Sequence, residues 1–241
     1  IDVANDFDND LPDVAALVGG GFVVVWRQGL DGGWILARKL EADGSPVGEP
    51  FRIDTARTGS PPYLGAPSVA PAADGGFVVA WTSGTKTNVG LVDSDVFVRA
   101  FTAAGDPKND DRLIASPTTT AQKSVDIRAS GDGGFVLVWE AGSGFASGQA
   151  RVQRLDANAT PVGALLIDVG GPGPRAAIAS DTSFHVVSTG GGNLEAPYNA
   201  TVRGRGIEAE ALADPFVLAE RVSRDFGELS GGELAATAMA S

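Results

Sequence analysis

The sequence predicts an all-β fold, a small β-propeller of about four four-stranded antiparallel blades with room for a partial fifth. Three observations predict it. The stretch Gly20-Gly21-Phe22-Val23-Val24-Val25-Trp26 returns as Gly75-Gly76-Phe77-Val78-Val79-Ala80-Trp81 and as Gly133-Gly134-Phe135-Val136-Leu137-Val138-Trp139. A worn fourth copy is Ser183-Phe184-His185-Val186-Val187-Ser188, with serine in the tryptophan slot; a repeat of this period marks a stacked architecture. The repeated strand is apolar on both faces, which calls for sheets covered on both sides, as in blades stacked face to face. Finally, each copy sits in the same succession of short strands bounded by Gly, Pro and Asp turns, the pattern of an antiparallel meander.

The first unit shows the elements in order. Ile1-Asp2-Val3-Ala4 reads as a strand end and residues 5–11 as a polar loop. Pro12 to Leu17 is a first strand, Phe22 to Trp26 a second, Trp34 to Leu40 a third and Phe51 to Asp54 a fourth. The turn Glu41-Ala42-Asp43-Gly44-Ser45-Pro46-Val47-Gly48 carries the Asp-Gly hairpin signal. First strands return at Pro67–Ala70, Val125–Arg128 and Pro174–Ile178; third strands at Val96–Phe101, Ala150–Leu155 and Ala200–Arg205; fourth strands at Arg112–Ile114, Leu165–Asp168 and Pro215–Leu218. Blades are thus expected at about 12–54, 67–115, 124–168 and 174–219 of a single domain, 1–241. Length varies mainly after the second strand, over 82–95, 140–148 and 189–199, read as loops. Ile1-Asp2 matches Ile53-Asp54 and Ile167-Asp168, and Glu233 to Met239 reads as a further first strand, so the termini are expected to complete a blade. The alternative is a segment of a longer array.

Composition narrows the chemistry. The net charge is -12 and the pI about 4.4, with no Lys/Arg cluster to neutralise phosphates, so nucleic acid is not an expected partner. Zero cysteines exclude disulfides and thiolate chemistry, and one histidine, His185, excludes a multi-histidine metal centre. No apolar run approaches the roughly 20 residues of a membrane helix. The chain starts at Ile1 without a methionine, so a processed or excised product is expected.

Phe22 to Trp26, followed by Glu41-Ala42-Asp43-Gly44-Ser45-Pro46-Val47-Gly48, resembles the propeller-type repeats of large secreted bacterial proteins, those associated with type I secretion and with calcium-binding nonapeptide (RTX) repeats. The resemblance covers about residues 1–220 and implies export to the cell surface or medium. It implies no particular activity, and the nonapeptide repeat itself is absent.

Candidate site residues are few. Trp26, Trp81 and Trp139 are repeat-equivalent and read as packing between blades. Trp34 has Asp95 and Gln149 as counterparts, so packing does not demand it; it serves either as a sugar-stacking surface or as a blade-edge cap. Loops leaving the second and fourth strands carry Trp34, Arg57, Tyr63, Lys86 and Tyr198, the expected ligand-binding set. Asp6, Asp8 and Asp10 alternate in one loop; they read either as oxygens for a Ca²⁺ ion or as a solvated turn. Glu140 follows Trp139, with Arg27 and Thr82 as its counterparts, and reads as a solvated carboxylate unless a second carboxyl meets it. His185 reads as a packed strand residue, and no catalytic residue is assigned.

Two functions follow. The first is a secreted or cell-surface, non-catalytic binding or adhesion module for carbohydrate or a protein. The alternative is a polysaccharide-acting hydrolase or lyase with carboxylates in the propeller channel.

Overall fold

A computed structural model of the chain describes residues 9–29, 33–55, 62–87, 90–115, 121–142, 148–166, 172–180, 183–189 and 202–208. All of its regular structure is β. The first sheet runs β1 (Asn9–Ala16), β2 (Phe22–Gln28), β3 (Trp34–Leu40), β4 (Pro46–Arg52). The second contains β5 (Pro62–Leu64), β6 (Ser68–Pro71), β7 (Phe77–Thr87), β8 (Gly90–Phe101) and β9 (Arg112–Ala115), with β5 and β6 both pairing with β7. The third is β10 (Gln122–Ala129), β11 (Phe135–Ala141), β12 (Gln149–Leu155), β13 (Pro161–Leu166). The fourth is β14 (Arg175–Ser180), β15 (Ser183–Thr189), β16 (Val202–Glu208). All pairs are antiparallel, and all but β5–β7, where the inner strand is broken in two, join neighbours in sequence, as a meander requires. The fourth strand expected at 215–218 and the terminal strands at 1–4 and 233–239 lie outside the described residues.

The repeated Gly-Gly-Phe stretch has a steric origin. A Cβ on Gly76 would lie 2.1 Å from the carbonyl oxygen of Phe101, and one on Gly134 would lie 2.5 Å from that of Leu155. The hairpin brings the end of the third strand over this position, so only glycine fits. The following phenylalanine opens the second strand in the first three sheets, and Phe184 is the second residue of β15; these phenylalanines lie opposite Leu40, Phe101, Leu155 and Ile207 in the respective third strands. Phe77 and Phe135 are fully buried and Phe184 is 2% exposed. Phe22 is only half-buried.

That exception follows from how the sheets stack. Val23 and Val25 of the first sheet pack against Phe77, Val79 and Trp81 of the second. Val78 and Ala80 of the second pack against Phe135, Leu137 and Trp139 of the third. Val136 and Val138 of the third pack against Phe184 and Val186 of the fourth. Each sheet therefore turns its Phe/Trp face to the sheet before it, and the first sheet has no described sheet before it.

Two expectations of extent change. The outer strands β4 and β13 begin at Pro46 and Pro161, directly after the turn, ahead of the apolar anchors used to place them. Within 82–95, read as a loop, residues 82–87 and 90–95 instead extend the hairpin, with Lys86 opposite Leu91 and Thr87 opposite Gly90.

Candidate functional site: a polar rim at one end of the sheets

The second strand leaves its apolar run at Trp26, Trp81 and Trp139, and a polar residue follows each time. Arg27, Thr82 and Glu140 are 3%, 2% and 5% exposed. Desolvating such groups is costly unless they are paired, and the pairing here is specific. Asp10 on the inner strand lies opposite Arg27, and Lys123 lies opposite Glu140. The two pairs occupy equivalent positions with their charges exchanged.

A bulge produces both. One extra residue interrupts β1 between Asp10 and Asp13, and β10 between Lys123 and Asp126. Leu11 and Ser124, within those bulges, have φ of 53° and 52°, a conformation unfavourable for side chains other than glycine. Bulges re-aim side chains and gather at functional rims. In the second sheet, the inner strand is broken at the same level, between Leu64 of β5 and Ser68 of β6.

Arg27 is held from three sides. Its Nε donates to Asp10 Oδ1 at 2.8 Å, its Nη2 to Asp10 Oδ2, and its Nη1 to the carbonyl of Leu64 at 2.9 Å. The Tyr63 ring lies 4.7 Å from the guanidinium carbon. Burial pulls the Arg27 pKa down, but the bonds to Asp10 and Tyr63 outweigh it and hold it above its ordinary value. Glu140 accepts from the backbone N–H of Gly173 at 3.0 Å and lies 3.9 Å from Lys123 Nζ. Both residues thus tie their sheet to the segment entering the next. Just behind this rim, the indole N–H of Trp26 donates to Asn9 and that of Trp139 to Gln122. Leu64 stands in the equivalent place beside Trp81, whose buried indole N–H finds no partner among the described residues.

The expected ligand set is brought together only in part. Tyr63 joins the rim through Arg27. Trp34 pairs with Gln28 at the same end of the first sheet, is 44% exposed, and carries Arg52 over its ring at 5.4 Å. Lys86 lies on the extended β7 hairpin. Arg57 and Tyr198 lie outside the described residues. Of the proposed calcium ligands, Asp6 and Asp8 also lie outside them, and Asp10 gives both its oxygens to Arg27. Among the described residues no cluster of three His, Asp or Glu could hold a metal. His185 is exposed on β15, opposite Ala177 and Gly206.

The inner strands carry a second polar feature, a ladder between sheets. Val69 N–H donates to Asp13 Oδ2 at 2.9 Å, Ile127 N–H to Ser68 Oγ at 3.2 Å, and Ala176 N–H to Asp126 Oδ2 at 2.8 Å. Asp13, Ser68 and Asp126 are repeat-equivalent, opposite Val25, Ala80 and Val138. Burial pushes the Asp126 carboxyl up, and the nearby Asp13 adds to this; the Ala176 N–H, Arg128 and Arg175 offset it in part. A carboxyl raised in the folded state contributes stability at low pH that is lost as pH rises through its folded pKa, which lies above its ordinary value. Asp126→Asn keeps an oxygen acceptor for Ala176 but cannot titrate. The stability of the parent relative to Asp126→Asn is therefore expected to increase as pH falls from neutral toward that pKa. Urea denaturation of both proteins across this range checks the sign.

No protein-family model matches the chain, and no curated protein matches it in sequence. Solved structures do match in fold. An ulvan lyase, described as a new family of polysaccharide lyase, superposes with a TM-score of 0.59 at 9% identity, over 83% of this chain and 52% of its own. A Hadza microbial sialidase gives 0.61 at 8% identity, over 86% and 45%. An α-L-arabinofuranosidase from Lactobacillus brevis gives 0.53 at 13% identity, over 87% and 71%. The chain thus spans about half the length of the lyase and the sialidase. At these identities the likeness establishes a propeller-like all-β fold. It also corrects the expectation of a non-catalytic binding or adhesion module: the named structures of this fold are carbohydrate-acting enzymes. The expectation of mere binding rested on the lack of a linear catalytic motif, and charged pairs assembled across strands, such as those at the blade ends, do not show as one.

Proposed function

We propose that this chain is the sheet domain of a polysaccharide-acting enzyme, a lyase or hydrolase, built from blades of a propeller ring and working outside the cell. The observation that carries the reading is the pair of charge-exchanged ion pairs, Asp10–Arg27 and Lys123–Glu140, each with one buried member, set by matching bulges at the same end of the first and third sheets. Stacking alone does not require buried charge there, and charges fixed by burial and hydrogen bonds are the means by which sites tune acid–base chemistry. The fold shared with carbohydrate-acting enzymes supports the substrate class, and the resemblance to exported bacterial repeats supports the location. In this reading Glu140 is the acid–base carboxyl, Arg27 the fixed cation facing acidic sugar, and Trp34 and Tyr63 the stacking surfaces.

The test is turnover of a panel of neutral and uronate-containing polysaccharides. Ultraviolet absorbance of an unsaturated uronate reports elimination, and new reducing ends without that absorbance report hydrolysis. Glu140→Gln is expected to lower turnover at least roughly 100-fold, the scale of a lost acid–base group, with the melting transition retained. Absence of both turnover and binding across the panel overturns the reading.

A further inference from the structure

Among the described residues, both end faces of the stack are uncovered, and on the first sheet the uncovered residues are the ones that neighbouring sheets bury elsewhere. Val14 is 57% exposed, whereas its equivalents Val69, Ile127 and Ala176 are 1%, 0% and 7% exposed. Phe22 and Val24 beside it are half-buried, while Phe77, Val79, Phe135 and Leu137 are fully buried. The polar ladder is open at the same place. Val69, Ile127 and Ala176 each donate a backbone N–H to the side chain of the preceding inner strand, but Val14 N–H turns back to its own neighbour, Asp13 Oδ1, at 2.9 Å.

The ladder also defines what fits. The acceptor position is held by Asp13, Ser68 and Asp126 in the first three sheets, and by Arg175 in the fourth, opposite Val187. Arginine cannot accept a hydrogen bond, so the fourth sheet cannot extend the ladder to Val14. In the chain, Glu233-Leu234-Ala235-Ala236 matches Asp13-Val14-Ala15-Ala16 residue for residue in type. Glu233 supplies an acceptor, and its charge is complementary to Arg175, its neighbour in the order of the ladder. Residues 209–232 separate it from the last described strand, and at about 3.3 Å per extended residue they reach across a domain of this size.

We propose that residues 233–239 dock as an inner strand on the open face of the first sheet, with Glu233 accepting from Val14 N–H and Leu234 continuing the apolar row of Val14, Val69 and Ile127. The face is thus an intrachain interface rather than a substrate surface. The proposal does not depend on the enzymatic reading.

The chain has no cysteine, so Val14→Cys/Leu234→Cys carries one thiol pair. A short bis-maleimide is expected to bridge that pair within one chain at least roughly tenfold faster than the control pair Val47→Cys/Leu234→Cys, the signature of a high effective concentration. Adding Glu233→Lys should remove the advantage. Equal rates for the two pairs overturn the proposal; so do bridges formed only between chains, which assign the face to a second copy. Hydrogen exchange on the unsubstituted protein gives a second reading that does not depend on the cysteine variants. Protection of the Val14 amide that is lost on deleting 233–241 supports docking, and protection unchanged by the deletion overturns it.

Discussion

Phe77→Ala is expected to destabilise the protein by about 3–5 kcal/mol, the cost of emptying a fully buried aromatic site that cannot collapse. Phe77 is 0% exposed. Its ring stacks on Phe101 at 5.0 Å and meets Phe51 of the first sheet at 6.5 Å. It therefore joins two strands of one sheet and the sheet in front of it, and alanine would vacate both contacts. Urea denaturation measures the change, with Leu113→Ala, at a site 49% exposed, expected to cost less than about 1 kcal/mol. A loss for Phe77→Ala below about 1 kcal/mol would contradict its place in the core.

Arg27→Ala is expected to cost about 2–3 kcal/mol. Breaking a fully buried ion pair costs about 3–5 kcal/mol because the partner is left charged and dry. Here the Asp10 side chain is 35% exposed, so water can reach it and the lower figure applies. The Leu64 carbonyl also loses its donor, and Tyr63 loses the cation on its ring. Arg27→Lys keeps the charge but not the planar fork, which alone reaches both Asp10 oxygens and Leu64 together; it should recover only part of the loss. Denaturation of both variants, read beside their turnover on the polysaccharide cleaved by the parent, separates the stabilising role from the proposed substrate-facing one. A neutral Arg27→Ala on both counts would remove this residue from the site.

Much of the architecture was readable in the chain because burial on both faces leaves an unmistakable mark. The runs Phe22 to Trp26, Phe77 to Trp81 and Phe135 to Trp139 have no polar side for water, so sheets must cover them. The glycine before each phenylalanine lies under a third-strand carbonyl, a constraint local to one hairpin and so visible as a dipeptide. The outer strands were harder to place. β4 shows Pro46, Val47, Gly48 and Glu49 all exposed, and a strand without a buried face has no apolar period by which to find its start. The β7–β8 extension was hidden for a related reason: Thr82 to Asp95 contains glycines and polar residues that resemble a loop, and only the ladder from Ser83–Asp95 to Thr87–Gly90 makes them strand.

The site was less legible. The polar residue after each tryptophan is visible in sequence, but Arg27, Thr82 and Glu140 differ in charge and look like unrelated loop residues. Their common burial, and the exchange of sign between Asp10–Arg27 and Lys123–Glu140, exist only once a bulge has set which inner-strand residue lies opposite. By itself, the sequence determined the all-β class, the repeated meander and the second-strand anchors, because these depend on side-chain period and hairpin sterics within some 50 residues. Only the tertiary structure decided which charges meet across the strands, which residues of the first sheet are exposed among those described, and that the rim is polar, because those properties belong to contacts between strands and between sheets.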